Sequence, residues 1–92
     1  MKRQCRVRIS GRVQGVSFRA STHRQASEWV LTGYVKNLKD GRVEALFQGE
    51  AESLEKMVDW CYKGPRLARV EHVDVEWMLI EKQLDSFRIL MD

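Results

Sequence analysis

Tyr34-Val35-Lys36-Asn37-Leu38-Lys39-Asp40-Gly41-Arg42-Val43-Glu44-Ala45-Leu46-Phe47 is the stretch on which the architecture turns. Tyr34 to Leu38 has the composition of a strand, and Val43, Ala45 and Phe47 recur at every second position, the period that turns one face of a strand toward a core. Lys39-Asp40-Gly41-Arg42 lies between them, and its Asp-Gly pair suits a hairpin turn. The segment therefore predicts two antiparallel neighbours.

Upstream, Phe18, Thr22, Ala26, Trp29 and Val30 fall at steps of four, four, three and one, lining one stripe of a helix that begins near Phe18. Ser17 is its predicted N-cap and Gly33 its predicted stop. Before it, Gly11-Arg12-Val13-Gln14-Gly15-Val16-Ser17 reads as a tight loop with two glycines, and Cys5 to Ile9 alternates with Arg6 and Arg8 as a first strand. Downstream, Gly49 ends the third strand. Leu54, Met57, Val58 and Cys61 then form a second helical stripe, closed by Gly64-Pro65. Val73, Val75, Trp77 and Leu79 alternate again with Val70 out of phase, which predicts a bulge near His72. Phe87, Ile89 and Met91 supply a last short strand.

This order places the chain in the α+β class as a ferredoxin-like βαββαβ sandwich. Two helices cover one face of an antiparallel sheet, a short C-terminal strand is added, and the opposite face is expected to be largely wet. At 92 residues the chain fits a single domain, residues 1–92, with one core.

In that topology the first and second strands run the same way with another strand between them, so their C-terminal ends share one edge. The glycine loop that ends at Arg19 should therefore face Asn37. A glycine loop feeding a helix offers backbone N–H groups without internal partners, at the positive end of the helix dipole. Arg19 adds a planar fork of donors for phosphate oxygens. Asn37 is no base, but its amide can hold a water through a donor and an acceptor together, and phosphoryl transfer depends more on orientation and charge stabilisation than on deprotonation.

At two places these residues resemble the acylphosphatase family. Ile9-Ser10-Gly11-Arg12-Val13-Gln14-Gly15-Val16-Ser17-Phe18-Arg19 is similar to the family's first signature, and Gly33-Tyr34-Val35-Lys36-Asn37-Leu38-Lys39-Asp40-Gly41-Arg42-Val43, followed by Gly49, to its second. Gly64-Pro65-Arg66-Leu67-Ala68-Arg69-Val70 and Phe87-Arg88-Ile89 extend the likeness over nearly the whole chain. The resemblance implies metal-independent hydrolysis of carboxyl-phosphate anhydrides such as acetyl phosphate, carbamoyl phosphate or 1,3-bisphosphoglycerate, releasing inorganic phosphate, without a cofactor. It assigns catalysis to Arg19 and Asn37, and phosphate binding to Gln14, Gly15, Val16, Ser17, Phe18 and Arg19. Leu90-Met91-Asp92 departs from the family, many of whose members close with Arg or Tyr, and no catalytic role is carried onto Ser17.

Composition narrows the rest. A hydrophobic fraction of 43% and a charged fraction of 32% are ordinary globular values. The longest apolar run, Trp77-Met78-Leu79-Ile80, is far short of the ~20 residues of a bilayer span, and Met1 to Cys5 leads straight into a strand pattern rather than a signal-peptide core. A cytoplasmic monomer acting on a small molecule is expected, with no membrane or nucleic-acid partner. The net charge of +3 is spread among carboxylates as on a solvated surface. Cys5 and Cys61 read as reduced core residues, His23 and His72 as surface residues, and neither a zinc site nor a catalytic carboxylate is expected. The acidic Glu50, Glu52, Glu55 and Asp59 read as a solvated face. Arg66 and Arg69 could extend the anion site, but a surface role is the better reading of both. Trp29, Trp60 and Trp77 read as packing residues, with Trp60 off the apolar stripe.

Three other functions compete. An RNA-binding module shares the element order, but its stacking aromatics on the first and third strands are replaced here by Arg6, Arg8 and Ser10 and by Glu44, Leu46 and Gln48. A non-catalytic phosphate-ligand module would need the loop and Arg19 but has no use for Asn37. The third, the acylphosphatase-like part of a larger carbamoyl-transfer protein, finds no support in the sequence.

Overall fold

The structure is a computed structural model that describes residues 1–91. Seven elements follow in order: β1 (Lys2–Arg12), α1 (Phe18–Glu28), β2 (Thr32–Asn37), β3 (Val43–Glu50), α2 (Ala51–Lys63), β4 (Arg69–Met78) and β5 (Phe87–Ile89). The strands form one sheet in the order β4-β1-β3-β2-β5. β3 is antiparallel to both β1 and β2, so β1 and β2 run the same way and finish at the same edge. β5 lies parallel to β2. This is the ferredoxin-like α+β fold.

The inward residues of the sheet, Cys5, Val7, Ile9, Val35, Val43, Ala45 and Phe47, are buried against Phe18, Thr22 and Ala26 of α1 and Leu54, Met57 and Cys61 of α2. The one polar member, Thr22, donates its hydroxyl to the Phe18 carbonyl at 2.7 Å, so its burial leaves no orphan donor. Both cysteines are free and buried. Burial pushes the Cys5 thiol up to about 12 and raises Cys61 as well, so both remain protonated core groups.

β1 is longer than the alternation predicts. It continues past Ile9 to Arg12, because its pairing with β4 shifts register between Ser10 and Gly11. Ser10 faces His72 and Gly11 faces Val70, leaving Glu71 as the extra residue, which is the bulge expected near His72. Trp29 and Trp60 pack partly buried against the core, whereas Trp77 is 42% exposed with the Arg3 guanidinium 4.6 Å from the centroid of its ring. Leu79 and Met91 lie outside the strands and are exposed. His23, expected at the surface, sets its ring 5.9 Å from that of Phe87.

Gly33 does not stop α1. The helix ends at Glu28 with Trp29 as C-cap, Val30 N–H donates to Ser27 O at 3.2 Å, and Leu31 N–H donates to Ala26 O at 2.9 Å. These are the two bonds of a Schellman motif, with Val30 at φ 57° in the position glycine usually fills. Gly33 instead lies inside β2 at φ 141°, where a Cβ would stand 1.8 Å from Leu46 O. It is needed for close approach of the β2 and β3 backbones.

The sheet face away from the helices is not largely wet at its centre. Glu44 is 5% exposed and Gln48 3%. Glu44 accepts bonds from Arg8 Nε and Tyr34 Oη, each at 2.8 Å. Gln48 donates to Gln4 Oε1 at 2.6 Å and Lys82 O at 2.8 Å, and accepts from Leu84 N–H at 2.8 Å. The connection from β4 to β5 crosses this face and covers it, with the polar groups paired in a way that burial demands.

Candidate active site

The loop between β1 and α1 is fixed by what its apolar residues bury. Val13, Val16 and Phe18 all enter the core, and the Phe18 ring meets Trp60 edge-on at 5.6 Å. Gln14 turns the other way. Its amide donates to Leu38 O at 2.8 Å and Arg42 O at 3.0 Å, tying the loop to the hairpin that follows Asn37.

Between these anchors Gly15 takes φ 75° and Ser17 φ 65°. Left-handed residues in such close succession belong to the backbone pattern of main-chain nests, in which neighbouring N–H groups converge. Ser17 occupies the N-cap position, but its side chain makes no capping bond; the predicted cap by its hydroxyl is replaced by a left-handed turn of its backbone. A non-glycine residue held there costs roughly 1–2 kcal/mol, which the buried neighbours on both sides offset. The first intrahelical bond runs from Ser21 N–H to Ser17 O at 3.0 Å, so the N–H groups of Phe18 to Ala20 lie ahead of the ladder at the positive end of the α1 dipole.

Arg19 and Asn37 both line a cleft of about 260 Å³, together with Gly15, Ser17, Ile89 and Met91. Arg19 Nη1 donates to Leu90 O at 3.3 Å and approaches Met91 Sδ at 3.7 Å, which steers the guanidinium over the cleft and leaves its other donors available. Asn37 is the last residue of β2, opposite Val43 of β3. Among the described residues, no hydrogen bond engages its side chain.

The residues chosen from sequence thus divide into groups. Arg19, Asn37, Gly15 and Ser17 meet at one cleft, Val16 and Phe18 offer only main chain because their side chains are buried, and the Gln14 side chain braces the loop. Ile89, Leu90 and Met91 join the site without any motif in the sequence that marks them. The short β5 pairing that brings them there, Gly33 with Phe87 through Val35 with Ile89, leaves no signal in the local sequence.

A larger concavity of about 710 Å³ opens on the opposite side of α1, lined in part by Ser17, Ser21, Arg24, Trp60, Arg66 and Leu67. Ser17 borders both spaces. Among the described residues, no group of three or more His, Cys, Asp and Glu side chains is arranged to hold a metal ion.

Known proteins resemble this chain in both sequence and fold. The acylphosphatase family model matches residues 5–89. The chain is 62% identical over 71 residues to an acylphosphatase of Roseiflexus sp. strain RS-1, covering 77% of this chain and 76% of the relative. It is 50% identical over 86 residues to one of Methylococcus capsulatus strain Bath, covering 94% of each. An acylphosphatase structure from Coxiella burnetii superposes with a TM-score of 0.91 at 39% identity, over 97% of this chain and 93% of that one. A family match spanning both the loop between β1 and α1 and the Asn37 hairpin, with relatives this similar over most of their length, means that the chain belongs to the acylphosphatase family.

Proposed function

We propose that this chain hydrolyses acyl phosphates at the cleft shared by Arg19 and Asn37. The substrate phosphoryl group rests in the nest of Gly15 to Arg19 main-chain N–H groups, and the Arg19 guanidinium binds two of its oxygens. Asn37 holds a water with its free amide. The water oxygen attacks phosphorus as the bond from phosphorus to the acyl oxygen breaks, the bonding electrons leave with the carboxylate, and the water proton passes to the phosphate product. A carboxylate is a weak base, so its departure needs no general acid, and the nest and guanidinium stabilise the charge that a metal would otherwise meet.

The observation that carries this reading is that Arg19 and Asn37, from separate elements, line one cleft against a left-handed loop at a helix N-terminus. The test is steady-state kinetics on benzoyl phosphate together with inhibition by inorganic phosphate. Arg19→Ala should lower kcat/KM by about 10³-fold and weaken phosphate inhibition, since it removes both anchor and charge. Asn37→Ala should lower kcat by about 10²-fold while phosphate inhibition holds. Equal phosphate affinity in native and Arg19→Ala protein would exclude the assigned anchor.

The proposal extends to a single-domain, monomeric, metal-independent enzyme of the cytoplasm, with no nucleic-acid or membrane partner. Sedimentation and turnover in excess chelator address the monomer and the metal. The RNA-binding reading is disfavoured by the outer sheet face, where Arg8 is engaged by Glu44 and the β4 to β5 connection crosses the strands that a nucleic acid would need. No helix among the described residues is long and apolar enough to cross a membrane.

A further inference from the structure

We infer that the 710 Å³ concavity beside α1 receives the acyl part of the substrate, and that Arg24 and Arg66 favour acyl groups bearing a second negative charge. The inference rests on the reaction proposed above and follows from its stereochemistry. In-line displacement puts the attacking water and the leaving oxygen on opposite sides of phosphorus. With the water at Asn37, on the Arg19 flank of α1, the acyl group departs toward the other flank. At about 100° per residue, Ser21 and Arg24 lie roughly 160° and roughly 140° around the helix from Arg19. They border the larger concavity, which meets the phosphate cleft at Ser17.

The chemistry of that concavity suits an anionic chain. Arg24 and Arg66 approach it from two different segments. Among the described residues neither is in an ion pair, whereas Arg6, Arg8 and Arg42 each have a carboxylate. Glu28 also lines the space, leaving two cations against one anion. Trp60 and Leu67 supply apolar surface for the methylenes between the anhydride and the far charge. Fork-shaped guanidinium donors are suited to a terminal carboxylate or phosphate.

Succinyl phosphate and butanoyl phosphate share a four-carbon chain and differ in the terminal carboxylate, so their kcat/KM ratio measures the inference at low ionic strength. The native protein should prefer succinyl phosphate by about tenfold. The Arg24→Gln, Arg66→Gln double variant should lose that preference through a higher KM for succinyl phosphate, and Arg24→Lys, Arg66→Lys should retain part of it. Circular dichroism confirms that each variant is folded. Turnover of both substrates with a ratio near one, or with a ratio unchanged in the double Gln variant, overturns the subsite and leaves the proposed hydrolysis standing. Failure of the native protein to turn over either substrate overturns both.

Discussion

Individual side chains carry two opposite kinds of strain and support. Val30 is 85% exposed and sits in the left-handed region at the end of α1, so its side chain contributes little burial while its backbone is unfavourable. Val30→Gly should raise the urea midpoint, with a gain of about 0.5–1 kcal/mol after the larger unfolded-state freedom of glycine is subtracted. Ser17 bears a similar backbone strain, but there it shapes the loop proposed to bind phosphate. Gln14 is the converse case. Its amide bridges Leu38 O and Arg42 O, yet Leu38 O also accepts from Gly41 N–H and Arg42 O from Leu38 N–H. Gln14→Leu should therefore cost only about 1 kcal/mol in stability. It should lower kcat further than that, because the loop and the Asn37 hairpin lose their brace, and chemical denaturation beside steady-state kinetics separates the two effects.

Among the elements, the strands were legible wherever one face is apolar, since the Val43, Ala45 and Phe47 alternation survives in the fold. Arg19 was legible as a phosphate-ligand candidate from the glycine loop and the helix start, whereas Asn37 took its candidate role from the likeness of its strand and hairpin to the family's second signature. What could not be read is what long-range pairing decides: the three residues of β5 beside β2, the Leu90 and Met91 contacts to Arg19, and the covered polar centre of the outer face. Gln48 looks like an outward strand residue until the β4 to β5 connection places Lys82 O and Leu84 N–H upon it. Glu44 likewise acquires its partners from β1 and β2. Burial alone would raise its carboxyl, but bonds from Arg8 and Tyr34 and the nearby Lys36 hold it below the ordinary 4.5, while burial and the Glu44 bond push Tyr34 up to about 12. A depressed carboxyl stabilises the fold at every pH above the unfolded value, and that contribution disappears as pH falls through the folded one. Urea stability should thus stay level from pH 7 to about 5 and decline below it. Glu44→Gln should be less stable at pH 7 and show a shallower acid decline, the remainder coming from Asp40 and Glu50, which are also lowered.

For the molecule as a whole, topology turns a linear pattern into a site. β3 separates β1 from β2 and is antiparallel to both, and this places the glycine loop that follows β1 and the Asn37 end of β2 at one edge of the sheet. The two concavities then flank the start of α1, one holding Asn37 and the other Arg24 and Arg66, and the proposed entry of water and departure of the acyl group use one each. The central claim is that water held by Asn37 attacks phosphorus rather than the acyl carbon. Turnover of benzoyl phosphate in ¹⁸O-labelled water, with the products resolved by mass spectrometry, tests it most directly. The label should appear in inorganic phosphate and not in benzoate; label in benzoate would show attack on carbon and contradict the roles given to the nest, Arg19 and Asn37.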